Sequence, residues 1–432
     1  MSIDSTLLFL SKQKYPLRRQ PMESSLVAAL KKLPHDPRSC VHASKCAVTS
    51  NRINRVSIAK SLFSACDQCR GSTSRRKESG YSSNRLLTAA LAAVALTSLY
   101  SNVYAQTSVT VYGVVDTYVA HDRGGNPAGS VTTMEGAAAS LAGSRLGFKG
   151  SEDLGGGLAA IFTAEMGFGS DTGAFDGSGI GFGRQAFVGL QGNLGVLKLG
   201  RQYNPLFTGG YQYDPFLGTL EGYYNRVISL GAGKRLSNTI LYGTPANLGG
   251  FSGEISYSLG EVVGSISQGR NIGLQVGYVN GPFSTNLLYN NFNNSPATAT
   301  TPAAMAAPVV NTKNVGIGAA YNFGIARLSG LYQSNKNDDP VAALETRDFL
   351  VGVSVPFGRH KLLASYIKQK NKALTNADTT QIALGYTYSL SKRTTLYTSF
   401  ARIANDGAAS IATPDSRGGT DKVFNAGIDH TF

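Results

Sequence analysis

Ser108-Val109-Thr110-Val111-Tyr112-Gly113-Val114-Val115-Asp116-Thr117 sets Val109, Val111 and Val115 at odd positions and Ser108, Thr110 and Asp116 at even ones. A side-chain period of two marks a strand with one apolar and one polar face. One face suits lipid and the other suits water. The same alternation recurs in sixteen segments from Gln106 onward, near 107 to 120, 138 to 150, 157 to 168, 181 to 192, 194 to 203 and 234 to 244, with ten more from 250 to 432. Each can cross a bilayer, because a tilted strand needs only about nine to eleven residues.

The connections alternate in length. Short turns such as Gly192-Asn193, Gly281-Pro282, Gly358-Arg359 and Ser391-Lys392-Arg393 take turns with long polar stretches at 121 to 137, 204 to 233, 294 to 310 and 404 to 419. Short turns on one side and long loops on the other are the wiring of an outer-membrane barrel. Lipid offers backbone N–H and C=O groups no partner, so strands survive there only in a sheet without free edges. A soluble β-sandwich also repeats alternating strands, but export and loop alternation favour the barrel. The expected fold is all-β, a transmembrane antiparallel β-barrel of 16 strands.

Composition fits. The 432 residues include 51 Gly, 21 Tyr, 19 Phe and no Trp, and a mean hydropathy of -0.08 is too polar for a helical membrane protein. The formal charge of +14 suggests nucleic acid until it is located. Residues 1 to 105 hold 16 Lys and Arg against 5 Asp and Glu, a net +11, and the remainder nets only +3. The basic excess belongs to the leader, so a nucleic-acid partner is not expected.

Three regions follow: a leader extension at 1-74, a signal peptide at 75-105 and the barrel at 106-432. Arg75, Arg76, Lys77 and Arg85 precede the apolar run from Leu86 to Leu96, and Val103-Tyr104-Ala105 ends in the small residues a signal peptidase reads, placing cleavage after Ala105. A signal peptide normally starts a chain, so the basic, Ser-rich leader is expected to be disordered or not translated. It holds every cysteine, Cys40, Cys46, Cys66 and Cys69. Their spacing lacks a zinc-knuckle pattern, and no metal or cofactor is expected.

The last strand, Phe424 to Phe432 with Gly427 and His430, resembles the terminal assembly signal of Gram-negative outer-membrane proteins read by the barrel-insertion machinery. Val111 to Asp116, Ser144 to Gly155, and Phe182 to Leu190 running on to Leu199-Gly200-Arg201-Gln202-Tyr203 resemble the trimeric general porins across all of 106 to 432. That resemblance implies a homotrimer in outer-membrane lipid and lipopolysaccharide, and a water-filled channel for passive diffusion of small hydrophilic solutes and ions. It also implies that the third extracellular loop, here Asn204 to about Lys234, folds inward to a constriction.

The family places arginines on the wall facing that loop, and Arg145, Arg184 and Arg235 stand at matching places, with Arg201 and Arg226 as further candidates. Arg184 shares parity with Ala186 and Val188, which points it to the lumen. The loop offers Asp214 and Glu221 as acids and Tyr211, Tyr213, Phe216, Tyr223 and Tyr224 as narrowing aromatics. Asp214-Pro215-Phe216-Leu217-Gly218 stands where the family has Pro-Glu-Phe-Gly-Gly, a departure that bears on the acidic role of Asp214. Three wall arginines in a body of +3 predict modest anion preference.

Two other classes compete. An adhesin or receptor would act through its surface loops, of which 298 to 308 is Ala/Thr/Pro-rich. A barrel enzyme would need a base, but the body offers only His121, His360 and His430, without a marked Ser or paired-carboxylate partner. The sequence is therefore read as non-catalytic.

Overall fold

The computed structural model describes residues 107 to 432 apart from 127, 137–138, 177–180, 295–308, 340–341 and 414–415. The leader, the signal region and the 298 to 308 stretch lie outside the described residues. The strands are β1 (Thr107–Arg123), β2 (Val131–Glu135), β3 (Arg145–Gly155), β4 (Leu158–Gly167), β5 (Gln185–Gly192), β6 (Gly195–Tyr203), β7 (Arg235–Gly243), β8 (Phe251–Ser258), β9 (Asn271–Asn280), β10 (Phe283–Asn294), β11 (Val310–Asn322), β12 (Arg327–Asn337), β13 (Glu345–Phe357), β14 (His360–Asn371), β15 (Thr379–Ser389), β16 (Thr394–Asn405) and β17 (Thr420–Thr431).

Every pairing is antiparallel, and the last strand returns to the first with Val114 opposite Thr431 and Arg123 opposite Lys422. The other edge of β1 is shared: its start pairs with β3 and its end with β2. β2 and β3 therefore act as one interrupted stave, which reconciles seventeen segments with a closed sixteen-strand barrel. The segment expected at 138 to 150 is the one that moves. Gly136 and Ala139 to Ser144 lie outside the strands, and the Ser144 amide donates to the Gly136 carbonyl as the strand resumes.

Alternation does what the physics requires. On β1, Val109 and Val111 are 59% and 56% exposed toward the hydrocarbon side, while Tyr118 and Asp116 are buried inward. Aromatics gather at the short-turn ends, where Phe251 lies 4.6 Å from Tyr278, Tyr321 4.7 Å from Phe323 and Phe357 5.0 Å from His360. Such clusters suit headgroup depth. Tyr397 on β16 instead points inward and donates its hydroxyl to Asp116.

The seam involves the final residue itself. The Gly113 and Phe432 amides donate to each other's carbonyls at 3.2 and 3.0 Å. The Phe432 ring occupies the space that a Cβ at Gly113 would need. Gly427 likewise leaves room for the Tyr397 ring, and His430 sits exposed, its Nδ1 hydrogen-bonded to Thr394 Oγ1 at 2.9 Å.

The chain between β6 and β7 fills the barrel. It starts with the short helix α1 (Pro205–Gly210), capped by Asn204 Oδ1 accepting from the Leu206 amide and opened by Pro205, which needs no N–H partner there. Leu206, Phe207, Tyr213, Tyr224, Val227, Ile228 and Leu230 then bury against wall residues that include Leu288, Leu331, Leu350 and Ile367. Bulky loop residues meet wall glycines: Tyr213 over Gly318, Pro215 over Gly352 and Phe216 over Gly385. Wall amides grip loop carbonyls, with Gln333 Nε2 donating to Ser229 O, Gln369 Nε2 to Val227 O and Gln381 Nε2 to Gly222 O. Beneath them runs a one-way relay from Asn204 through Asn290, Asn314 and Asn335 to the Asp348 carboxylate, each amide donating to the next acceptor. Buried amides in such a chain are satisfied in only one arrangement, which fixes the loop.

Candidate constriction site

Three side chains from the long-loop ends of three strands converge because those strands begin at one height. Arg145 opens β3, Arg184 immediately precedes β5 and Arg235 opens β7. With Lys234 they line a cavity of about 530 Å³ that also takes in Asp176, Tyr203, Phe207, Tyr211, Tyr223 and the detour residues Ala139 to Gly143. The detour reaches the long loop directly, since the Leu220 amide donates to the Ser140 carbonyl at 3.0 Å.

Arg184 faces inward for a different reason from its parity. Val188, on that parity, is 58% exposed on the outer face. A bend just ahead of β5 turns Arg184 inside, where Nε donates to Glu165 Oε1 at 2.7 Å. Glu165 Oε2 accepts from Tyr112 Oη at 2.8 Å, so both carboxylate oxygens are engaged. The sequence reading missed Glu165, although a lone carboxylate on the polar parity of an alternating strand is a visible signal. It also missed Lys234 and Asp176.

Arg145 donates from Nη2 to the Ala142 carbonyl at 2.8 Å. Among the described residues, the buried Nε of Arg145 and that of Arg235 have no acceptor. Arg235 lies over the Tyr203 ring at 5.2 Å, and Lys234 over Phe207 and Tyr223 at 5.4 and 5.2 Å. Burial, then the neighbouring Arg235 and Arg184, bring the Lys234 ammonium down to about 8. Arg201 stands apart, in an adjoining cavity of about 470 Å³ that shares Arg235. Its Nε donates to Gly183 O at 2.6 Å and its Nη1 to Ser237 Oγ at 2.8 Å.

The two loop acids do not line the arginine cavity. Asp214 is wholly buried in the loop, accepting from the amides of Phe216, Gly218 and Tyr224 at 3.0 Å each. Burial pushes its carboxyl up to about 7 against those three N–H groups. Asp214 is the organiser of its own turn. Glu221 is held by Arg226 Nη1 at 2.9 Å, and the same guanidinium reaches Asp421 at 2.9 Å. Burial lifts Glu221 to about 7, opposed by Arg226.

Of the loop aromatics, Tyr211 and Tyr223 line the cavity, whereas Tyr213, Phe216 and Tyr224 are buried where the loop packs against the wall. Tyr203, Phe207 and Tyr211, four residues apart across α1, stack in a column with centroids 5.6 and 5.3 Å apart. The histidines stand elsewhere: His121 Nδ1 meets Thr132 Oγ1 and His360 Nδ1 meets Tyr386 Oη.

Chemically, the cavity sets four cationic side chains against Asp176, with Glu165 paired to Arg184 behind the lining. Comparison with known proteins agrees with this architecture. The family model for Gram-negative porin matches residues 88–408. Outer membrane porin protein 32 of Delftia acidovorans is 36% identical over 74% of this chain and 91% of its own length. An outer membrane porin of Bordetella pertussis is 30% identical over 71% of this chain and 91% of its own. Among solved structures, the anion-selective porin from Comamonas acidovorans superposes with a TM-score of 0.65 at 35% identity, covering 76% of this chain and all of that one. A Vibrio cholerae outer membrane protein, at 17% identity and a TM-score of 0.55, shares the fold. A closed sixteen-strand barrel filled by one long loop, in a chain so similar to these proteins, belongs to the family of Gram-negative outer-membrane porins.

Proposed function

We propose that the channel favours anions and that Arg145, Arg184, Arg235 and Lys234 set this preference at its narrowest part. One observation carries the reading: both loop acids are sequestered, so the arginine cavity is left with a cationic excess. Fixed charges of one sign in a low-dielectric passage concentrate counter-ions and repel co-ions. The similarity to a protein described as anion-selective supports it. Arg201, bound to Gly183 and Ser237, contributes to the field at a distance.

The channel is passive and non-catalytic in this reading, and it assembles as a homotrimer in a bilayer bearing lipopolysaccharide. Cleavage after Ala105 releases the barrel, and the insertion machinery reads the β17 strand through Phe432, Gly427 and His430. Neutralising Arg145 and Arg235 together, as R145Q/R235Q, tests the charge assignment. The reversal potential in a KCl gradient should move toward the ideal non-selective value, and an unchanged potential in channels of normal conductance would remove these residues from the account.

A further inference from the structure

The constriction cavity has two chemically distinct sides. On one, the Arg145 and Arg235 guanidiniums line the cavity, Arg235 reaching across to the Tyr203 ring at 5.2 Å, while Arg184 is engaged with Glu165. On the other, Tyr203, Phe207 and Tyr211 form the stacked column, with the 47% exposed Leu217 beside it. Gly218 helps keep that side open, because a Cβ there would come within 3.3 Å of the Phe207 ring. A small inorganic anion uses only the first side.

From this juxtaposition we propose that the constriction selects aromatic monocarboxylates over aliphatic ones of the same charge. The inference rests on the anion reading above. The carboxylate accepts from Arg145 and Arg235, in the charge-assisted geometry guanidinium favours. The ring lies against Tyr211 and the edge of Phe207, where offset or edge-to-face contact adds to plain apolar burial. A second carboxylate on the same solute would be driven against hydrocarbon and lose water without gaining a partner. The cavity volume of about 530 Å³ lies within the range of small-molecule sites.

The test uses the purified full barrel in planar bilayers, with KCl carrying current and benzoate, cyclohexanecarboxylate, acetate or succinate added as blocker. Benzoate should half-block at a concentration about fivefold below cyclohexanecarboxylate, the size of one ring–ring contact, and further below acetate and succinate. Y211L keeps apolar bulk and should bring benzoate to the cyclohexanecarboxylate level, whereas Y211F should preserve the difference. Equal block by the two six-membered rings, stronger block by succinate, or a difference that survives Y211L would overturn the proposal. The wild-type ranking needs no variant to fold. The reversal potential measured before any blocker is added reads the anion preference by itself, so cation preference there sinks the underlying reading, and anion preference without aromatic discrimination sinks only this one.

Discussion

Phe216→Ala isolates the docking of the long loop from the stability of the barrel. Phe216 is 1% exposed, and its ring sits where Cβ atoms on Gly222 and Gly385 would come within 2.6 and 2.7 Å. The two glycines make the room for the ring, which packs in a buried cluster that includes Leu220, Leu363 and Ala383. Truncating a buried Phe costs about 3 to 5 kcal/mol when its surroundings cannot collapse. The cost falls on the loop, since the sheet's hydrogen bonds are untouched. At about 1.4 kcal/mol per power of ten, the population of undocked loop should rise by roughly two to three and a half orders of magnitude. Chymotrypsin reads that population, because the loop is rich in Tyr, Phe and Leu and cleavage follows the open fraction when opening is fast. The variant should be cut between Asn204 and Lys234 at least a hundredfold faster (~) than wild type while the barrel still migrates as a folded, heat-modifiable species. A cleavage rate within about twofold of wild type, with the barrel intact, would refute the idea that this ring pins the loop.

Glu165→Gln frees Arg184 from its 2.7 Å ion pair and removes one negative charge beside the cavity; chloride preference should rise in reversal-potential measurements, and an unchanged preference would show that the pair does not act on the solute path. Lys234 loses its proton as pH climbs through about 8, so anion preference should be full at pH 7 and decline toward pH 9.5 (~), with Lys234→Arg abolishing the decline. Persistence of the decline in that variant would assign it to another group. Gly113→Val places a branched side chain in the space of the Phe432 ring at the seam; heat-modifiability should shift to lower temperature, and an unshifted transition would show that the seam tolerates a displaced Phe432.

Much of this was written in the sequence, for identifiable reasons. The strands were legible because lipid and water impose a strict period of two, and the loop because its length between β6 and β7 has no rival. Arg145 and Arg235 were suggested by the family resemblance rather than by strand position, and both line the cavity at strand starts. The inward turn of Arg184 could not be read, because it depends on a bend that breaks parity with Val188. The detour between β2 and β3 was hidden because Ala, Leu and Gly at 137 to 143 read equally well as strand. Asp214 offered a usable signal: an Asp two residues before the amide it accepts from is an Asx turn, a local duty that competes with pore lining. Glu221 was decided by Asp421, about 200 residues away in sequence yet bound to the same Arg226. No local pattern reveals such a pairing.

The sign of the current in a salt gradient bears most directly on a closed barrel whose passage is lined by unmatched cations. Single channels of the processed wild-type protein, bathed in KCl at unequal concentrations, should reverse on the chloride side of zero and do so less far in R145Q/R235Q. Reversal on the potassium side, or a folded protein that inserts and carries no current, would contradict it.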